Sequence, residues 1–527
     1  IKVQNKSGRI MPSLVTDNFR VFAAEQFIES LEEPYSDSAG TPVDDGDAGG
    51  LSDAYRSKIY LFTGRSQPWT LERYAGVNGV TEFDPPPPYD SFNDMNESYD
   101  DMISMKRVTR SDVSKVIRKI TWKTGVKYDM YKNDYSPAKT SINGQSKLYD
   151  SQFYVMNSNY QVYKCIYNGE SPTNTTGLAS TVEPTGDSTN IIGPLADGYR
   201  WKYMYTISIA DYIKFVSSDF IPVKEDTAVK NASVDGSIDQ LIIKNVGTSN
   251  AANTYYCPII GDSSSPAIAR VVVPSGGTGV ITTVDLERVG AGYTRATVLL
   301  SEAYTNVTNA LARSGTTVPL SGSIEPIISP PGGHGSDSSL ELGGYRVMIN
   351  KSLDFLDGNG DIPIDSQFRR FGLVSDPQNV NSSDLTLDTA TACYAIKFPT
   401  ATNVNYSQGE VITQNSTGAK GRVIHWDSVT KVLRYYQNEF IDASQSGQNQ
   451  YKLVPFSGAN SITGAVSNVT VTPDTSQSGV FFGINFTNGY ASPEVKKNSG
   501  NIIYVENRKA VNRSNDQIED IKLVIEF

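Results

Sequence analysis

The stretch Ser499–Phe527, SGNIIYVENRKAVNRSNDQIEDIKLVIEF, carries two strand patterns separated by a polar excursion. In the second, Ile521, Leu523, Ile525 and Phe527 alternate with Lys522, Val524 and Glu526, the two-residue period of a strand with one apolar face. A phenylalanine ring at that end gains free energy by burial and loses it by fraying, so the stretch is expected to be tied into a sheet. Its partners must come from far earlier in the chain, which makes the core discontinuous in sequence.

Composition agrees with a sheet protein. A chain of 527 residues exceeds one compact core, and about 150 residues per domain suggests three to four structural units. With 38% hydrophobic and 20% charged residues it can fold, and 30 Tyr, 43 Gly and 26 Pro favour strands and turns over helices. The fold class expected is mainly β with a few short helices. A net charge of -11 argues against gripping nucleic acid, which needs Lys and Arg against phosphates. Cys165, Cys257 and Cys393 are far apart and odd in number, so neither a disulfide framework nor a metal site follows, and three buried thiols are expected. No apolar run is long enough for a membrane span, and the start, IKVQNKSGRIMPS, lacks the apolar core of a signal peptide.

Thr16 or Asp17 can cap a helix with Phe19, Phe22, Ala23, Phe27, Ile28 and Leu31 as its apolar stripe. An acidic, turn-rich loop follows, in which Asp44, Asp45 and Asp47 lack the glycine and distal glutamate of a calcium loop. Lys58–Phe62 reads as a buried strand and Thr63–Trp69 as the turn leaving it, bent at Gly64. Pro85–Pro88 suits a polyproline spacer, and the spacing of Val113, Val116, Ile117 and Ile120 predicts a helix from Ser111. Around Asn157, Ser158 and Asn159 a hairpin is expected. The row Tyr199, Trp201, Tyr203 and Tyr205 fits a sheet face, a protein interface or a sugar platform.

Two later stretches, 230–340 and 390–485, are rich in Gly, Ser, Thr and Val with short strands. Aligned at Ala267 and Ala419 without gaps, they place Arg270 over Arg422 and Val280 over Val432. That is the pattern of two copies of one β module, or of short strands that resemble one another. Catalytic patterns are sparse. His334 and His425 stand apart from any nucleophile, no phosphate loop or dinucleotide fingerprint occurs, and Asp357, Asn359 and Asp361 in DGNGD read as a hairpin turn.

Several segments together resemble the baseplate wedge protein encoded by gene eight of T-even-like contractile-tailed bacteriophages. They are VTDNFRVFAAEQFIESL, IYLFTGRSQPW, the helix region MISMKRVTRSDVSKVIRKITW, VYKCIY, DGYRWKYMYTIS, DFIPV, FRRFGLVSDPQ, SGNIIYVENRKAV and the closing IKLVIEF. FTGRSQPW and SGNIIYVENR are the most specific. The resemblance skips the two Gly- and Ser-rich stretches. It implies a multidomain, discontinuous β-rich core in residues 1–228, 343–388 and 497–527, carrying inserted β modules at 229–342 and 389–496.

For function the resemblance implies a structural subunit of a viral tail, assembled in the host cytoplasm and carried in the virion. It would be dimeric, in contact with other wedge proteins, and without cofactor or catalysis. Interfaces of that kind centre on aromatic and Arg anchors, which singles out Arg65, Trp69, Tyr504, Glu506 and Arg508 as interface or fold-locking residues. The alternative is a carbohydrate-binding or host-attachment protein acting through the inserted modules.

Overall fold

Ser366–Ser375 is buried along nearly its whole length, because both of its edges and both of its faces are covered. It belongs to a five-stranded antiparallel sheet of order Thr389–Thr391, Met102–Arg107, Ile59–Gly64, Ser366–Ser375, Asn501–Arg513. Segments more than 430 residues apart thus lie in one sheet, in the register Tyr60↔Val374↔Ile502 and Phe62↔Gly372↔Val505. The computed structural model describes residues 3–4, 10–11, 14–31, 58–354, 360–438, 441, 453–514 and 517–527. Asp44, Asp45, Asp47, Asp357 and Asn359 lie outside them.

The chain divides into two compact units, one of residues 1–25, 114–348 and 524–527, the other of residues 26–113 and 349–523. Each unit holds one Gly- and Ser-rich stretch together with part of the region expected to form the core. The strands Val113–Arg118, Arg346–Leu353 and Glu519–Glu526 run through the division. Glu519–Glu526 neighbours Arg346–Leu353, so the closing stretch takes its partner from 343–388 as its alternation requires. Ile521 and Leu523 are buried, whereas Phe527 is half-buried and is held by its own amide, which donates to the Tyr345 carbonyl at 3.2 Å, and by Arg20 Nε donating to its carbonyl.

In the first unit, Tyr154–Met156, Gln161–Tyr167 and Arg200–Thr206 form a three-stranded sheet. The expected hairpin turns at Asn157, whose Oδ1 accepts from the Asn159 and Gln161 amides at 2.9 Å; the left-handed residue is Tyr160, at φ 60°. Tyr199, Trp201, Tyr203 and Tyr205 all lie in the core with Phe153, Tyr163 and Tyr128. They are sheet face, and no sugar can stack on them. The helix Asp17–Glu29 begins as expected, with Thr16 Oγ1 accepting from the Phe19 amide at 3.3 Å. Its buried stripe, however, is Val21, Ala24, Ile28 and Leu31, while Phe19 and Phe22 are exposed.

The helix expected from Ser111 is a strand, Val113–Arg118, which pairs with Phe220–Pro222. Val113, Val116 and Ile117 fit a helical spacing, but all three are β-branched and the strand is covered on both faces, which hides alternation. Met102–Arg107 in the same region is also a strand. Arg346–Leu353 and Ser366–Ser375, the strands on either side of DGNGD, belong to different sheets.

The two Gly- and Ser-rich stretches share a strand order. Asn253–Gly261, Ala267–Val273 and Thr283–Arg288 form a meander, and Ala296–Val298 returns to pair with the outer edge of its first strand. Val411–Gln414, Lys420–Asp427 and Val432–Tyr436 repeat that meander, with Ile462–Gly464 returning to the first strand. Both are Greek keys. The ungapped alignment superposes the middle strands but fails at the next hairpin, whose loop spans 274–282 in one and 428–431 in the other. Val280 therefore lies in a loop, whereas its aligned partner Val432 pairs with Asp427. The second module extends further, into a seven-stranded sheet.

Gly372 shows how closely the five-stranded sheet is packed. A Cβ there would stand 2.3 Å from the Phe62 ring and 2.5 Å from the Tyr504 carbonyl oxygen. Gly372→Ala is expected to cost about 1–3 kcal/mol, read as a lower urea midpoint with unchanged slope.

Candidate interaction surface

The turn after Ile59–Gly64 is held by buried charge. Gly64 is required there for space, since a Cβ would meet the Asp101 carboxylate at 3.1 Å; the bend itself falls on Arg65, at φ 57°. Arg65 is fully buried, with Glu97 at 3.3 Å, Glu72 at 3.9 Å and Asp101 at 4.0 Å, and it donates to the Pro68 and Leu71 carbonyls. Trp69 is also fully buried. Its ring lies 4.9 Å from the Arg65 guanidinium and 5.6 Å from that of Arg370, and its Nε1 donates to the Arg508 carbonyl at 2.7 Å. Arg65 and Trp69 are thus placed inside the fold, where they fix the turn against two strands.

Three acids and two further arginines complete this cluster. Arg370 reaches Asp101 at 2.9 Å and Glu97 at 3.7 Å, while its neighbour Arg369, on the opposite face of the strand, donates to the Ser66 carbonyl at 2.6 Å. Glu72 turns to the second module and accepts from Arg422 at 2.8 Å, the Tyr436 hydroxyl at 2.8 Å and Asn438 at 3.1 Å. None of Glu72, Glu97, Asp101, Arg369 and Arg370 was singled out from sequence, and Arg422 only as a position of the module alignment. The adjacent arginines in FRRF, inside an otherwise apolar strand, were the available signal.

Burial pushes the Asp101 carboxyl up to about 7, against the attraction of Arg370 and Arg65 and with the repulsion of Glu97 and Glu72. A carboxyl raised in the folded state binds its proton more tightly there than in the unfolded chain. Stability from this group is therefore present below the ordinary carboxylate range and lost as pH rises toward 7. Unfolding free energies from urea titrations are expected to fall across that window by up to about 1 kcal/mol per pH unit, and Asp101→Asn is expected to flatten the dependence.

The outer side of the same structure is an exposed edge. Asn501–Arg513 is the last strand of the five-stranded sheet, 13 residues long, and among the described residues no strand pairs with its far side. Tyr504, Glu506 and Arg508 lie together along it: the Tyr504 hydroxyl donates to Glu506 at 2.9 Å, and Arg508 Nε donates to Glu506 at 2.5 Å while stacking over Phe371 at 5.8 Å. Glu506 and Arg508 remain partly solvent-accessible. Tyr504 also lines a cleft of about 390 Å³ with Ile502, Ile503, Tyr74 and Tyr89. Of its lining Tyr89 is 68% exposed, and Phe83, whose ring lies 5.4 Å from Lys509 Nζ, is 80% exposed. Phe92 begins the helix Phe92–Asp100, capped by Ser91, whose side chain accepts from the Asp94 amide.

The chemistry elsewhere is quiet. All three cysteines are buried, and burial raises the Cys257 thiol to about 12 and that of Cys393 to about 11. Among the described residues no group of three or more His, Cys, Asp or Glu is placed to hold a metal ion. Among them, too, no helix is long and apolar enough to cross a membrane. No protein-family model matches the chain, and no curated protein matches it.

Proposed function

We propose that the chain is a structural subunit of a phage tail baseplate wedge, joined to neighbouring wedge proteins and to a second copy of itself, and without catalysis. The observation that carries this is the free edge of Asn501–Arg513. Along these thirteen residues the backbone groups turned away from Ser366–Ser375, other than the Arg508 carbonyl that Trp69 takes, offer donors and acceptors to another chain, and the exposed Phe83, Tyr89 and Ile503 supply apolar area beside them. A protein that works alone keeps such edges short, charged or covered. The segments that carry the resemblance, IYLFTGRSQPW, FRRFGLVSDPQ and SGNIIYVENRKAV, build this sheet side by side, and the Arg65–Trp69–Arg370 lock beneath holds the edge rigid for assembly. On this reading the protein assembles in the host cytoplasm and resides in the virion.

The test is co-purification of the tagged full chain with the products of its neighbouring reading frames. Capture of tail proteins is expected, and Ile503→Lys is expected to weaken it at least about tenfold while leaving the melting midpoint unchanged. Capture of none of them would overturn the proposal.

A further inference from the structure

In the first unit, a cavity of about 680 Å³ opens between Arg200–Thr206 and the start of the first Gly- and Ser-rich module. Two cations line it. Lys202 is 5% exposed, and its ammonium donates only to the Thr189 carbonyl. Arg200 donates to the Gln240 side chain at 2.8 Å and the Asp239 carbonyl at 3.4 Å, and its Nε is buried without a partner. Among the described residues neither forms an ion pair with a carboxylate. His334 lines the same cavity; it too is 5% exposed, and its Nδ1 has no partner.

The acids of the lining compensate these charges only at a distance: Asp239 and Asp285 favour the charged form of Arg200, and Asp239 that of Lys202, without ion-pair contact. Glu170 is committed to Lys132 at 2.6 Å and Lys244 at 2.9 Å, and Asp285 to Arg270 at 2.7 Å. Asp239 accepts from Ser237 and stands 3.9 Å from His334 Nε2. A buried ammonium and a partly buried guanidinium with no carboxylate in contact are costly to keep, and they mark a place where a ligand can supply a closer negative charge. Burial, with Lys164 close to Lys202, shifts Lys202 and His334 toward their neutral forms, as expected for a site short of negative charge. The volume is far larger than an inorganic ion needs and suits a small organic molecule. The side-chain amide of Asn190 lines the cavity and offers a partner for hydroxyl groups, and the Ser233 hydroxyl, which donates to the Lys230 carbonyl, can accept from one.

We propose that this cavity binds an acidic sugar, with its carboxylate or phosphate held by Arg200, Lys202 and His334. The proposal stands independently of the baseplate reading, since a tail subunit and an unrelated protein would both show it. Calorimetric titration of the full chain with glucuronate, glucose 6-phosphate and glucose tests it. At least one of the two anions is expected to bind saturably and glucose not, and the stronger anion tells carboxylate from phosphate. Arg200→Gln is expected to weaken that binding at least about tenfold. The chain has two histidines, so in the unaltered protein the His334 proton resonances are expected to move on saturation while those of His425 stay fixed. No saturable binding up to about 10 mM, equal binding of glucose, or binding that leaves the His334 resonances in place would overturn the proposal.

Discussion

Arg370→Ala is expected to destabilise the protein by about 3–5 kcal/mol. Arg370 is almost fully buried, and its guanidinium serves four partners: Asp101 at 2.9 Å, Glu97 at 3.7 Å, the Asn507 side chain at 3.0 Å and the Trp69 ring. Truncation leaves Asp101 buried with Arg65 alone, at 4.0 Å, while Glu97 keeps Arg73 at 2.6 Å and Arg65 at 3.3 Å, and the cost is that of the Asp101 carboxylate losing its close partner. Arg370→Lys restores the charge without the planar fork and is expected to recover part of the loss. Denaturant unfolding across the three proteins decides the matter. A loss below about 1 kcal/mol for the alanine variant would mean that water reaches the cluster.

Removing Ile521–Phe527 is expected to abolish cooperative unfolding. The deletion takes away the strand beside Arg346–Leu353, the buried Ile521 and Leu523, and Glu526, which pairs with Arg346 at 3.0 Å and with Arg20. It also exposes Met348, which packs with Val116, Phe215 and Val524. Because the strand runs through the division of the chain, both units lose part of their packing. Calorimetry of the truncated chain is expected to show no native transition, and a soluble truncation with the unaltered melting midpoint would refute the account.

How much of this was legible in sequence depended on how local the cause was. Ile521 and Leu523 were legible because one covered face imposes alternation, and the turn at Asn157 because its side chain satisfies amides two and four residues on. Val113–Arg118 was misread because a strand covered on both faces loses its period, leaving a spacing that also fits a helix. Phe92–Asp100 was missed because it is short and polar on average: Phe92, Met95 and Tyr99 share one face at helical spacing, but Phe92 is exposed and the residues the helix buries include Glu97 and Ser98. The roles of Arg65 and Trp69 were half visible. Their position after a strand marked them, but the partners that bury them, Glu97, Arg370 and the Arg508 carbonyl, lie 32 to 439 residues away. No local pattern encodes those contacts.

The edge strand and the lock beneath it were visible only in part for the same reason. SGNIIYVENRKAV reads as a strand, but that no strand among the described residues pairs with its far side is a property of the whole sheet. The most direct measurement of the central claim is amide hydrogen exchange across Asn501–Arg513, for the full chain alone and after co-expression with the products of its neighbouring reading frames. The account predicts that these amides exchange faster alone than those of Ser366–Ser375 and become protected in the complex. Exchange along Asn501–Arg513 that is unchanged by a complex formed elsewhere on the molecule, or the absence of any complex, would contradict it.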